Sequence, residues 1–293
     1  HARSGAPHHE LDEEVMPSPD HTAPEHPLPL PFSHRCPIVG MVHLLPLPGS
    51  PGWDGRMAGV LDRATSDARA LVEGGVDGIL VENYGDAPFF PDRVPPETVA
   101  ALALAVSAVR AYAEVPVGVN VLRNDARSAL GLAAATGAAF VRVNVHVGTM
   151  VTDQGVVAGR AWDTLRVRES LCPEVPILAD VMVKHAVSPP GTSLSQAARD
   201  TWHRGLADGL VLSGSGTGMP TSGRDLAVAR DAVPEARLWI GSGLTGDRLD
   251  ELLPLADGAI VGSAFQRDGR AGMAVDPMRV HGFMERVGCL RIA

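Results

Sequence analysis

The chain has 293 residues, 45% of them hydrophobic and 20% charged, which is the balance of a soluble globular protein and not of a disordered or fibrous one. No apolar run reaches the roughly 20 residues of a membrane-spanning helix, and a net charge of −9 with 4% aromatics argues against a nucleic-acid partner. The three scattered cysteines (Cys36, Cys172 and Cys289) form no CxxC pair, which disfavours a disulfide framework or a structural zinc site and points to a reducing compartment, the cytoplasm.

Residues 1–36 hold seven prolines and six of the eleven histidines, with almost no apolar periodicity. This composition cannot offset its ordering entropy, so the segment is expected to be a disordered, dispensable extension. It lacks the apolar stretch of a signal peptide, and its histidines show no ligand spacing. A chain that opens on histidine also suggests that its natural start lies elsewhere.

From Pro37 to the end, short β-branched runs alternate with longer alanine-rich stretches. The expected strands are Ile38–Val42, Gly78–Val81, Val117–Val121, Phe140–Val145, Ile177–Val183, Gly209–Leu212, Leu238–Ile240 and Ala259–Val261. Leu61–Val72, Glu97–Ala113 and Ser193–Arg204 read as helices between them. Strand alternating with helix implies a parallel sheet. Eight units in about 250 residues fit a single closed (β/α)₈ barrel better than an open sheet. Three strands are preceded by Val76-Asp77-Gly78, Ala207-Asp208-Gly209 and Ala256-Asp257-Gly258. These are expected to be helix-to-strand turns at the stability face, with structural aspartates and glycines in the left-handed region.

In such a barrel, chemistry sits at the C-terminal ends of the strands. Those ends carry His43, then Glu82, Asn83 and Asp86, then Asn120, Arg123 and Asn124. The fourth adds Arg142, Asn144 and His146 on one expected face, and the fifth Asp180, then Lys184 and His185. A lumen filled only for stability would be Val, Ile and Leu, so this convergence reads as a site. The plainer alternative is local neutralisation, with Arg142 pairing Glu82 or Asp180. Lys184 is the single lysine beside 24 arginines. It could do what arginine cannot, accept and release a proton or attack a carbonyl, though chance also explains one survivor.

The last three strands end in glycine and serine. Leu212 leads into Ser213-Gly214-Ser215-Gly216, the seventh strand into Gly241-Ser242-Gly243, and the eighth into Gly262-Ser263. Loops after strands seven and eight are the usual phosphate site of this fold, because glycine lets backbone N–H groups approach an anion. Tight turns alone would also account for them. No Walker-type loop is present. Metal chemistry at His43, His146, His185, Asp180 and Glu82 is the weaker option, since the first strand lacks a His-x-His pair.

Longer motifs carry a resemblance. Pro37-Ile38-Val39-Gly40-Met41-Val42-His43, Glu82-Asn83-Tyr84-Gly85-Asp86-Ala87-Pro88-Phe89, Val119-Asn120-Val121-Leu122-Arg123-Asn124-Asp125 and Arg142-Val143-Asn144-Val145 resemble the BtpA family. So do Thr152-Asp153-Gln154-Gly155, Asp180-Val181-Met182-Val183-Lys184-His185-Ala186 and Val261-Gly262-Ser263 with Asp268-Gly269. The resemblance covers about residues 37–287 and implies a barrel likened to phosphate-binding barrel enzymes. Its founding name refers to photosystem I biogenesis, and other members resemble products of sugar-utilisation operons; no settled reaction comes with it. This chain departs from the pattern at Met273-Ala274-Val275-Asp276, at Gln266-Arg267-Asp268 and at Gly218-Met219-Pro220-Thr221-Ser222-Gly223.

The expectation is therefore an enzyme acting on a small phosphorylated metabolite, of sugar-phosphate isomerase, epimerase or lyase type. Glu82, Asp180 and Lys184 would do the acid–base work. His43, Asn83, Asn120, Arg142, Asn144, His185 and Ser213 would bind substrate, and Gly214, Gly216, Gly241, Ser242, Gly243, Gly262 and Ser263 the phosphate. The rival expectation is a non-catalytic assembly or regulatory factor that keeps a ligand-binding barrel. No cofactor is assigned, and a homo-oligomer is compatible with the sequence.

Overall fold

The computed structural model describes residues 26–183, 186–213 and 220–292. Its first half runs β1 (Ile38–His43), α1 (Met57–Glu73), β2 (Gly78–Glu82), α2 (Pro96–Tyr112), β3 (Val117–Asn120), α3 (Ala126–Thr136) and β4 (Phe140–Val143). A hairpin follows, β5 (Thr149–Thr152) and β6 (Gly155–Ala158), then α4 (Ala161–Leu171), β7 (Ile177–Val181) and the short β8 (Ala186–Val187). The rest is α5 (Leu194–Arg199), β9 (Gly209–Leu212), α6 (Gly223–Ala232), β10 (Leu238–Ile240), α7 (Leu249–Leu252), β11 (Gly258–Val261) and α8 (Pro277–Ile292). Eight strands close in the order β1-β11-β10-β9-β7-β4-β3-β2, every pair parallel. The expected single (β/α)₈ barrel is the fold.

Three strands were not expected. β5 and β6 form an antiparallel hairpin, and β8 pairs with β5 to make a small separate sheet. The alternation Thr149-Met150-Val151-Thr152 and Val156-Val157 about Asp153-Gln154-Gly155 is a hairpin signal that could have been read. Val145, Met150, Val157 and Val183 form the small core beneath this sheet.

The strands' two faces do different work. Outward residues such as Val42, Ile79, Val119, Val141 and Ala179 join the core shared with the helices. Alanine on the helices keeps that layer thin; α1 buries Val60, Ala64, Ala68 and Leu71 along one stripe. Inward residues at the N-terminal end form a second apolar cluster of Val39, Leu80, Phe140, Leu178, Val211 and Trp239.

The three aspartate-glycine turns obey one rule, and it corrects the expectation for the glycines. None of Gly78, Gly209 and Gly258 has a positive φ. They begin strands and face the lumen, where a Cβ would stand 2.7 Å from Phe32 at Gly78, 2.6 Å from Leu178 at Gly209 and 2.8 Å from Trp239 at Gly258. Space, not backbone conformation, requires glycine there. The aspartates are structural, as expected. Asp77, Asp208 and Asp257 each accept the first N–H of the preceding barrel strand, from Ile38 at 2.6 Å, Ile177 at 2.8 Å and Leu238 at 2.8 Å. Each also donates its own N–H to the carbonyl of that same residue. These aspartates therefore satisfy strand ends that the ladder leaves open.

The expected boundary at Pro37 also moves. Leu28 donates its N–H to Asp208 at 2.7 Å, and His26 Nε2 lies 3.1 Å from the Ala207 carbonyl. Phe32 meets the rings of Phe140 and Trp239 at 5.3 and 5.4 Å between centroids. Composition hid this because prolines dominate the stretch. Yet Pro27, Pro29 and Pro31 favour extended backbone and space Leu28, Leu30 and Phe32 at alternate positions. Leu30 and Phe32 pack against the lumen's apolar cluster. The nature of residues 1–25 lies outside the described residues.

Candidate functional site

Beyond the apolar layers, the inward positions of the same strands turn polar. Register sets His43 opposite Glu82, Glu82 opposite Asn120 and Asn120 opposite Arg142. These residues and Asp180 surround the floor of a cavity of about 600 Å³ at the C-terminal mouth. His43, Glu82, Arg142, Asn144, Asp180 and Ser213 line it directly. Asn120 stands behind Glu82, with Nδ2 donating to Oε2 at 2.6 Å.

The strongest interaction on the floor is the plainer alternative raised for Arg142. Its Nε and Nη2 donate to the two oxygens of Asp180 at 2.8 and 3.0 Å. Asn144 Nδ2 adds a third donor to Asp180 at 3.0 Å, and Arg142 Nη2 reaches Ser213 Oγ at 3.5 Å. Burial opposes the Arg142 charge, but the Asp180 carboxylate outweighs it and holds the guanidinium more firmly protonated. Asp180 is thus the partner of a fixed cation. A bidentate pair of this kind presents a rigid N–H surface to a ligand oxygen.

Glu82 is different. Burial pushes its carboxyl up, and the Arg142 charge and the Asn120 hydrogen bond only partly oppose that. Its Oε1 stands 3.7 Å from His43 Nε2. Burial lowers the His43 pKa to about 4, so this imidazole is neutral near pH 7. Tyr84 stacks on it at 4.3 Å. A carboxyl with a raised pKa beside a neutral imidazole is a pair suited to moving a proton.

Gly241, Ser242, Gly243, Gly262 and Ser263 line the same cavity, at the ends of β10 and β11, with β1 alone between β11 and the strand of Glu82. Gly243 has φ +74 and sits against Pro220, where a Cβ would come within 2.2 Å. Gly241 is packed just as closely, its Cβ position 2.4 Å from Ser213 Oγ. Ser242 Oγ donates to the Ser213 carbonyl at 2.8 Å, which ties the sixth and seventh strand ends together. Lys184, His185, Gly214 and Gly216 lie outside the described residues.

Several expected members point elsewhere. Asn83 lies just past the end of β2 and turns away from the cavity; its amide donates to Asp86 and to the Leu122 carbonyl and accepts from Leu122 N–H. Asp86 in turn holds the Leu47 N–H at 2.8 Å. Asn124 brackets Val145, donating to its carbonyl and accepting its N–H. His146 leaves the expected face because β4 ends at Val143; it is buried with Nε2 2.7 Å from the Gly205 carbonyl. The alternation from Asp180 toward Lys184 stops likewise, since β7 ends at Val181 and Met182 has φ +58.

Other members were missed. Gln266 Nε2 and the Gly272 N–H both approach His43 Nδ1, at 2.9 and 3.1 Å. Tyr84, Phe89 and Asp153 also line the cavity, Asp153 from the tip of the unexpected hairpin. Only the hairpin had a readable signal; Gln266 and Gly272 arrive from a loop whose path no periodicity sets. Among the described residues, no three His, Cys, Asp or Glu side chains gather as a metal site. No helix of the described residues is long and apolar enough to cross a membrane.

Solved structures of similar shape include barrel enzymes. N-(5'-phosphoribosyl)anthranilate isomerase from Pyrococcus furiosus aligns with a TM-score of 0.52 at 14% identity, covering 87% of this chain and 99% of the enzyme. 7,8-Dihydropteroate synthase from Vibrio fischeri gives 0.54 at 16%, covering 88% and 94%. At such identities the likeness shows the fold alone. Sequence relatives are much nearer. The Photosystem I biogenesis protein BtpA of a Synechocystis species is 49% identical over 87% of this chain and 88% of its own length. The putative sgc region protein SgcQ of Escherichia coli is 32% identical over 87% and 95%. The BtpA family model matches residues 34–288, a span that contains the whole barrel and its polar mouth, and the chain belongs to the BtpA family.

Proposed function

We propose that the barrel mouth binds a small phosphorylated metabolite and moves a proton on it, in the manner of a sugar-phosphate isomerase, epimerase or lyase. The observation that carries this reading is the placement of Glu82, a buried carboxyl of raised pKa, in one cavity with the glycine-serine turns that end β10 and β11. Glu82 is the acid–base group. The Arg142–Asp180 pair and Asn144 orient hydroxyl or carbonyl oxygens, and Ser242, Gly243, Gly262 and Ser263 take the phosphate through backbone N–H groups, while Gly241, whose N–H is held by the Leu212 carbonyl at 2.7 Å, shapes the turn. Lys184 completes the acid–base set as the residue that arginine could not replace. The Pyrococcus neighbour's name, with its phosphoribosyl substrate, fits this reading.

Phosphate or sulfate should raise the melting temperature, because a ligand that binds only the folded state stabilises it. Ser263 is exposed on the cavity wall, so Ser263→Asp places a like charge there without disturbing the core. That variant should lose the response; an equal response in both proteins removes the phosphate argument. Gly243 makes a poor test, since any side chain there meets Pro220.

A second reading, an assembly factor that retains a ligand-binding barrel, draws on one observation besides the Synechocystis name. Val151, Val156 and Val187 pair across the small sheet and are 49%, 68% and 69% exposed. Turnover of any phosphorylated metabolite decides between the two.

A further inference from the structure

The loop after β11 brings two groups to His43 that do not touch the cavity themselves. Gln266 is fully buried, with Nε2 2.9 Å from His43 Nδ1, and the Gly272 N–H donates to the same nitrogen at 3.1 Å. A backbone amide cannot turn round to accept. Nδ1 is therefore the acceptor, and Gln266 presents its N–H rather than its oxygen. The Gln266 Oε1 is left buried with no hydrogen-bond partner, a cost that goes with this orientation. The ring proton then sits on Nε2, on the side of Glu82 Oε1, at 3.7 Å. That gap is too long for a hydrogen bond, and both groups open on the cavity, where a ligand oxygen can lie between them.

The surroundings fix this arrangement. Tyr84 stacks on the ring, and Gly272, at φ +83, fits where a Cβ would stand 3.0 Å from Tyr84. Gln266 pairs with Val275, whose N–H is held by the buried Asp67 of α1 at 2.8 Å. Burial also keeps the imidazole neutral.

We propose that Glu82 and the Nε2–H of His43 form an enolising pair for an α-hydroxy aldehyde or ketone, with Gln266 and the Gly272 amide as the positioning groups that set the imidazole tautomer. Glu82 removes the proton from the carbon beside the carbonyl. The C–H pair becomes the C=C of an enediol, and the carbonyl π pair moves onto oxygen, where the Nε2–H donates to it. The proton returns from Glu82 to the same carbon. After the hydroxyl proton shifts between the enediol oxygens, it can instead return to the neighbouring carbon and give the isomer. No oxidant, reductant or co-reactant is consumed. The phosphate on this substrate and the acid–base role of Glu82 rest on the function proposed above; the His43 tautomer and the enolising step do not.

Two measurements on the full chain test it. Nitrogen-15 NMR should show His43 with an unprotonated Nδ1 and a protonated Nε2 at neutral pH; the opposite tautomer, or an imidazolium, overturns the proposal whatever the activity. Gln266→Glu offers Nδ1 an acceptor, so the ring should take a proton there, and an unchanged Nδ1 signal would show that Gln266 does not set the tautomer. Ribose 5-phosphate, ribulose 5-phosphate and fructose 6-phosphate, each beside its unphosphorylated sugar, are then incubated with enzyme in deuterated water. Deuterium should enter at the carbon beside the carbonyl, at least ~100-fold more slowly with Glu82→Gln and ~10-fold more slowly with Gln266→Glu. Turnover of a phosphorylated sugar without deuterium entry sinks the enolising pair and leaves the phosphometabolite reading standing. Deuterium entry into free and phosphorylated sugars alike keeps the pair and sinks the phosphate assignment.

Discussion

At the N-terminal end of the barrel lumen, Phe32, Phe140 and Trp239 meet as rings, with Leu80, Leu178 and Val211 around them. Two residues further along the same strands, the lumen carries Glu82, Arg142 and Asp180 around a cavity of about 600 Å³. One end is filled; the other is held open by charge pairs. The filled end has glycines where rings need room, at Gly78, Gly118 and Gly258. The open end has glycines that line the cavity instead, at Gly241 and Gly262. Apolar packing at one end lets the fold tolerate unfavourable burial of ionisable groups at the other.

The largest expected difference between the ends is in activity. Glu82→Gln should cost at least ~100-fold in turnover while leaving stability unchanged or raised, because it relieves the burial of an ionisable group. Lys184→Arg should cost a similar ~100-fold once a substrate is known. Should Lys184→Arg keep near-normal activity, Lys184 is only an electrostatic anchor. A core change such as Leu80→Ala should do the reverse, lowering the unfolding free energy measured in urea by about 2–5 kcal/mol.

Stability separates the ends next. Asp180→Ala leaves Arg142 buried without its partner and should cost about 3–5 kcal/mol in urea unfolding. Adding Arg142→Met should recover much of that loss, since it removes the stranded charge. If the double variant is no better than Asp180→Ala alone, the pair is not what the buried end of the cavity needs.

Truncation sharpens the other end. A chain beginning at Pro37 loses Phe32 and Leu30 from the lumen and Leu28 from Asp208, and should be less stable by about 2–4 kcal/mol. A chain beginning at His26 should melt as the full chain does. Equal melting of all three would return the domain boundary to Pro37.

The last comparison is in pH. His43 and His146 are both held at about 4 by burial, against an ordinary value of 6.5. The unfolded chain therefore binds more protons than the folded one as pH falls from 6.5 toward 4. Stability should drop across that window by up to about 1.4 kcal/mol per pH unit for each histidine. Glu82 acts with the opposite sign, because its raised carboxyl pKa makes protonation favour the folded state. His146→Gln should flatten the slope by roughly half, measured by urea unfolding at several pH values.

The barrel was legible because its signals are local. Alternating strand and helix periods give eight units, and side-chain alternation along a strand places Glu82 and Arg142 inward with no tertiary knowledge. The same alternation failed once a strand ended, at His146 after Val143 and beyond Val181, because the period of two belongs to extended backbone only. Asn83, counted with Glu82, also lies past its strand's end, where the chain has already left the extended conformation. The glycines of the three aspartate-glycine turns were assigned a conformational reason when the actual one is a ring across the lumen. That ring lies far away in sequence, so composition could not disclose it.

What the sequence determined by itself is the repeated unit, the end of the barrel where polar side chains gather and the residue types found there, since these follow from propensity, period and the rule that strand ends form the mouth. Which polar groups pair was decided only by the closed tertiary structure. Asp180 is spent on Arg142 while Glu82 is left with a raised pKa. Gln266 and Gly272 come back across more than two hundred residues to fix the proton of His43. Pairing of that kind depends on distances between distant strands and loops, which a linear pattern does not contain until the barrel closes.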